Sequence, residues 1–172
     1  MNTAQRLQSM EKRQTRYTPL PKYWQPKQPA SVQLTCQVIH HDKIEDFRLG
    51  RATVELMWDW VADHLTYAEM VRLLKAEHFE VSDEAAEAIA EEGTIIDEVI
   101  DRYIRTGRVG FSGPQLLIAR AAAFAHDLVI ELDRHGIAGK ARVHSDHATE
   151  QKKMTIARRM LEQMQTTTQW SK

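Results

Sequence analysis

The stretch EVSDEAAEAIAEEGTIIDEVID, Glu80–Asp101, holds nine carboxylates and neither lysine nor arginine. Ser82 followed by Asp83 and Glu84 reads as a helix start, because a serine oxygen caps free backbone N–H groups and carboxylates suit the positive end of the helix dipole. Gly93 is expected to end that helix. Thr94 to Asp97 then caps another, burying Ile95, Ile96, Val99, Ile100, Tyr103 and Ile104. Nine carboxylates exceed what capping requires. Two readings of the surplus stay open: a solvated face, or a docking face for a basic partner with Asp83, Glu84, Glu87 and Glu91 as contact residues.

Immediately upstream lies TYAEMVRLLKAEHF, Thr66–Phe79. Thr66 and Glu69 have capping-box spacing, and Met70, Val71, Leu73 and Leu74 face inward. With Phe79, Val81 and Ser82 as the turn, Thr66–Ala90 resembles the helix-turn-helix of bacterial partition proteins, recombinases and transposases. The resemblance covers about 25 residues and implies a DNA-reading second helix. The chain departs from it where it matters. Asp83, Glu84 and Glu87 stand where a recognition helix approaches bases and phosphates, and each would repel a phosphate. A base-reading helix would carry Arg, Lys, Asn or Gln there.

Further upstream, SVQLTCQV, Ser31–Val38, alternates Val32, Leu34, Cys36 and Val38 with Gln33, Thr35 and Gln37. Period two with β-branched residues predicts a strand. A lone strand must pair with a copy of itself or with a partner. Its polar face followed by helices also has the layout of ribbon-helix-helix dimers, a second route to DNA. From Asp42 to about His64 an amphipathic stripe of Val54, Met57, Trp58, Val61 and Leu65 predicts helix, broken near Gly50. Downstream, RTGRVGFSG is a loop, and Pro114 opens the most apolar helix, PQLLIARAAAFAHDLVIELDRHG. Arg134 and His135 suit its C-terminal dipole, and Gly136 its end. A last helix is expected from about Thr149 to Met164, with Ala157, Met160, Leu161 and Met164 as its stripe. The fold class is therefore mainly α: about six packed helices and one short N-terminal strand.

Residues 1–30 form an extended tail with Pro19, Pro21, Pro26 and Pro29; residues 31–172 form one helical domain. The tail carries Arg6, Lys12, Arg13, Arg16, Lys22 and Lys27 against Glu11 alone. Within RYTPLPKYWQPKQP, the residues Arg16, Tyr17, Lys22, Tyr23 and Trp24 make a docking segment. It could fold back on its own domain, meet a protein partner or meet nucleic acid. Contact with the acidic helix is the expectation, with the aromatic rings supplying most of the energy. Lys152, Lys153, Arg158 and Arg159 make the last helix basic.

The apolar share is 42%, the charged share 27% and the net charge -1. That is enough for a core, and it provides no global field favouring nucleic acid or membrane. One cysteine excludes an intramolecular disulfide framework. No apolar run approaches the ~18 residues a membrane span needs, and no apolar signal core opens the chain. A cytoplasmic, bacterial protein is the default expectation.

The histidines cluster as His40-His41-Asp42 and as His144, Asp146 and His147. Neither reads as a metal site, since a third ligand must come from elsewhere, and His144 and His147, near a helix start, read as surface residues. His126, beside Asp127 in the apolar helix, reads as a hydrogen-bonded core histidine. No phosphate loop, nucleophile elbow or paired-carboxylate motif is present, so no enzyme, cofactor or metal is expected. The function expected is a small regulator or adaptor working through protein contacts, in transcription control or on a mobile element, and associating as a homodimer through Ala157, Met160, Leu161 and Met164. The alternative is a helix-turn-helix DNA-binding regulator that uses the basic tail and last helix.

Overall fold

The structure, a computed structural model, describes the backbone of residues 30–133 and 136–169 and the side chains of 39–133 and 136–165. Five helices fill these residues: α1 Ala30–Arg48, α2 Val54–Ala76, α3 Asp83–Thr106, α4 Gly113–Ile130 and α5 Ile137–Gln169. The mainly α class holds. The count of six and the strand do not.

The strand expectation fails over 32–38, which is part of α1. No second strand exists among the described residues to receive its backbone groups, whereas a helix satisfies them internally. No glycine or proline interrupts the chain between Ala30 and Leu49, so the helix runs on until Gly50, whose φ of 68° ends it. The ribbon-helix-helix layout falls with the strand.

Other expected breaks lie inside continuous helices. Thr66 opens nothing; it is buried in the middle of α2, and its Oγ1 donates to the Ala62 carbonyl at 2.8 Å. The actual N-cap is Thr53, whose side chain accepts from Leu56 N. Gly93 and Thr94 lie within α3. A Cβ at Gly93 would sit 3.1 Å from His64 Nε2. This glycine therefore serves close helix approach rather than helix termination. Ser82 caps α3 as expected, accepting from Ala85 N, and Gly107 ends it with φ 67°. Pro114 lies in the first turn of α4. Thr149 starts nothing either; α5 already begins at Ile137, where Asp133 accepts from Ile137 N and Ala138 N. Residues 134 and 135, and the tail residues Arg16, Tyr17, Lys22, Tyr23 and Trp24, lie outside the described residues.

The closest packing joins α2 to α5 and α3 to α4, with α1 laid on α4. Two apolar clusters result. One gathers Phe47, Met57, Trp60, Ile96, Ile100 and Ile156; the other gathers Tyr67, Met70, Leu74, Ile89, Val129 and Ile137. Phe47 stacks on Phe111 with centroids 4.3 Å apart, and Trp60 meets Phe47 edge-on. No helix among the described residues is long and apolar enough to cross a membrane.

Candidate functional site: a buried imidazole–carboxylate layer

Each helix changes character between the two apolar clusters. On α3, Glu92 stands between Ile89 of one cluster and Ile95 of the other; on α2, His64 stands between Val61 and Tyr67; on α4, His126 stands between Ala123 and Val129. On α1 the corresponding residue is His40, one turn before Ile44. On α5, Ser145 falls between Ala141 and Ile156. All but His64 are buried, and His64 is largely covered, its side chain 12% exposed. Five helices thus place polar groups in one layer.

Glu92 is its centre, 1% exposed. Trp60 Nε1 donates to its Oε1 at 2.7 Å, and His64 Nδ1 donates to its Oε2 at 3.1 Å. An ionised carboxylate only accepts, so the facing imidazole nitrogen must carry the proton. His126 Nε2 lies 2.9 Å from the same Oε2. Its N–H axis nevertheless meets no protein acceptor, so this contact acts through charge and proximity. Burial alone would raise the Glu92 pKa. The His126 and His64 imidazoles outweigh it and hold the carboxyl down at about 2. Tyr67 stacks on His126 at 4.1 Å with nearly parallel rings, fixing its orientation.

A second carboxylate, Asp63, faces α1. It accepts from Lys43, lies 3.4 Å from His40 Nε2, and has Arg142 Nη1 at 3.5 Å. Burial would raise its pKa; His40 and Lys43 bring it below the usual value. His41 turns the other way, to Asp127 Oδ2 at 3.1 Å, with Phe124 against its ring. The adjacent histidines of the HHD run therefore bind α1 to two different helices. Thr66 and Ser145 close the layer toward α5 through a 2.6 Å hydroxyl contact.

Chemically the layer is an ionised carboxylate encircled by imidazole and indole N–H groups. The cavity beside it is only about 10 Å³, so no organic substrate reaches it. No three His, Cys, Asp or Glu among the described residues converge to hold a metal ion. His144 and His147 are exposed on α5.

The residues expected to carry function lie elsewhere. Asp83, Glu84, Glu87 and Glu91 are exposed along the first half of α3. On α5, Ala157 is exposed, Leu161 is 59% and Met164 66% exposed, while Met160 packs partly against the core. Met154, 64% exposed, joins that face. Asp63, His64, Glu92 and Trp60 were not singled out as site residues from sequence. The available signal was spacing: Ala85, Ile89, Glu92, Ile96 and Val99 form one four–three repeat, which puts Glu92 at a core position.

Comparison with protein-family models, with curated proteins and with solved structures returned no match.

Proposed function

We propose that this chain is a small regulatory or adaptor protein that works by binding another protein through the outer face of α5. The observation that carries this reading is the seam Met154, Ala157, Leu161 and Met164. These residues recur at three- and four-residue spacing, and the three large ones are 59–66% exposed. Methionine and leucine at that spacing suit a partner helix, because flexible thioethers adapt to varied surfaces. The opposite side of α5 is tied to α3 by Lys152 with Asp97 at 2.7 Å and Arg159 with Asp101 at 3.0 Å. The seam is presented on a rod whose main packing is against α2. A homodimer through the same seam is one form of this reading.

A second reading, a DNA-binding regulator, draws on the short turn, residues 77–82, between α2 and α3. Against it stand the carboxylates on the first half of α3 and the engagement of Lys152, Lys153 and Arg159 with carboxylates. The test is a photo-crosslinking residue at Leu161, with one at exposed Arg108 as control, run in host cells with and without nuclease. Protein adducts specific to position 161 that survive nuclease support the reading; a self-adduct identifies the dimer. Adducts only to nucleic acid would favour the DNA reading, and no adduct specific to position 161 would remove the seam as a docking face.

A further inference from the structure

The cavity in the polar layer is lined by His40, Lys43, Asp63, Glu92, Ala123 and His126, among others. Two of its ring nitrogens, His126 Nε2 and His40 Nδ1, are buried and meet no protein hydrogen-bond partner. Such nitrogens are rarely left unpaired inside a protein. The cavity's volume of about 10 Å³ is close to the least that holds one water, and polar lining is what separates wet cavities from dry ones.

We propose that this cavity is a binding site for a single internal water molecule, which joins α1 to the Glu92 centre on α3 and α4. The proton positions follow from the neighbours. An unprotonated His126 Nε2 would set its lone pair against the Glu92 carboxylate 2.9 Å away, so it carries a proton; its N–H axis misses that carboxylate, and the water accepts from it. His40 Nε2 faces Asp63 Oδ2 at 3.4 Å and carries its proton there. His40 Nδ1 is then an acceptor, and the water donates to it. The second water proton goes to Glu92, adjacent to His126 Nε2. The two ring centroids are 5.2 Å apart, edge to face. The water makes three hydrogen bonds, the usual number for a buried one. Tyr67 packs on both rings, stacked on His126 and edge-on to His40, so both are held in position toward the site.

The ligand class is narrow: a neutral molecule of one heavy atom that both donates and accepts. Oxygen-17 relaxation dispersion on the whole chain reads it directly, because an internal water exchanges far more slowly than surface water. The wild type should show a long-lived water that Ala123→Val loses, since the added methyl groups enter the cavity. Circular dichroism checks that the variant folds. Should Ala123→Val fail to fold, Ala123→Ser replaces it: the added hydroxyl takes the water's place, and the same loss of one water is expected. A folded variant whose dispersion amplitude equals that of the wild type overturns the proposal. So does a crystal structure at about 1.5 Å in which the cavity is dry or the two imidazoles bond each other directly.

Discussion

Replacing Glu92 with glutamine preserves its shape and removes its charge. The carboxyl is held at about 2 in the folded chain, against 4.5 as its ordinary value. A depressed carboxylate stabilises the fold above the unfolded value and loses that contribution as pH falls toward the folded one. The difference, 4.5 minus 2, is about 2.5 units, and at ~1.4 kcal/mol per unit it amounts to about 3 kcal/mol at neutral pH. Because most of the lost stability accrues between the two values, about 2 kcal/mol should already be gone at pH 3. Asp63 is also depressed, so acid weakens the wild type through other groups too; subtraction of the variant isolates Glu92. Urea unfolding followed by tryptophan fluorescence at pH 7, 4 and 3 is the assay. At pH 7, Glu92→Gln should be less stable by about 3 kcal/mol, the range for breaking one partner of a buried charged contact. At pH 3 the gap should shrink to about 1 kcal/mol. An equal gap at both pH values would show that the carboxylate charge is not what the layer is built around.

Three smaller changes test the local readings. His78 closes α2 with φ 64°, a conformation that costs a non-glycine residue about 1 kcal/mol, so His78→Gly should raise stability by about that amount in thermal unfolding; a loss would mean that the His78 side chain contributes to the fold. Gly93→Ala adds about 1 kcal/mol of helix propensity but pushes a methyl group to 3.1 Å from His64 Nε2. Little net change in unfolding free energy, together with a shifted His64 imidazole signal in NMR, is expected, and an unshifted signal would refute the close-approach role. Lys152→Ala and Arg159→Ala should each cost no more than about 1 kcal/mol in urea unfolding, because both ion pairs face solvent; a larger loss would make them structural rather than steering contacts.

The helical class was legible because the apolar period of α3 is strong, α4 is a long apolar run, and Ser82 and Pro114 mark two starts. The internal breaks were not legible. Gly93 carries the same letter whether it stops a helix or admits a neighbouring imidazole, and only packing separates the two. Thr66 and Thr149 look like caps, yet both lie mid-helix and are buried. Val32 to Val38 alternates like a strand, but propensity yields where the described residues offer no partner strand. The polar layer was half legible. His126 announced itself inside an apolar run. Glu92 was hidden among exposed acids, and His40 beside His41, because a composition reading groups neighbours in sequence while a helix sends them to different faces.

The acidity of α3 can now be divided by position, and the division bears on what the helix can meet. Glu92 is consumed by the buried layer. Asp97 and Asp101 face Lys152 and Arg159 of α5, and Glu98 accepts from Gln115 at 2.6 Å. Asp83 and Glu84 lie in the first turn, where the helix dipole favours them. The second half of the helix is thus answered within the chain, by Gln115 of α4 and by the helix whose basic residues looked free for nucleic acid. Glu80, Glu87 and Glu91 remain exposed with no ion pair among the described residues. Glu87 and Glu91, one turn apart on α3, repel a phosphate backbone and each other. Charge complementarity between α3 and α5 therefore adds two surface pairs to a helix that packs chiefly against α2, while Glu87 and Glu91 stay unanswered on the first half of α3.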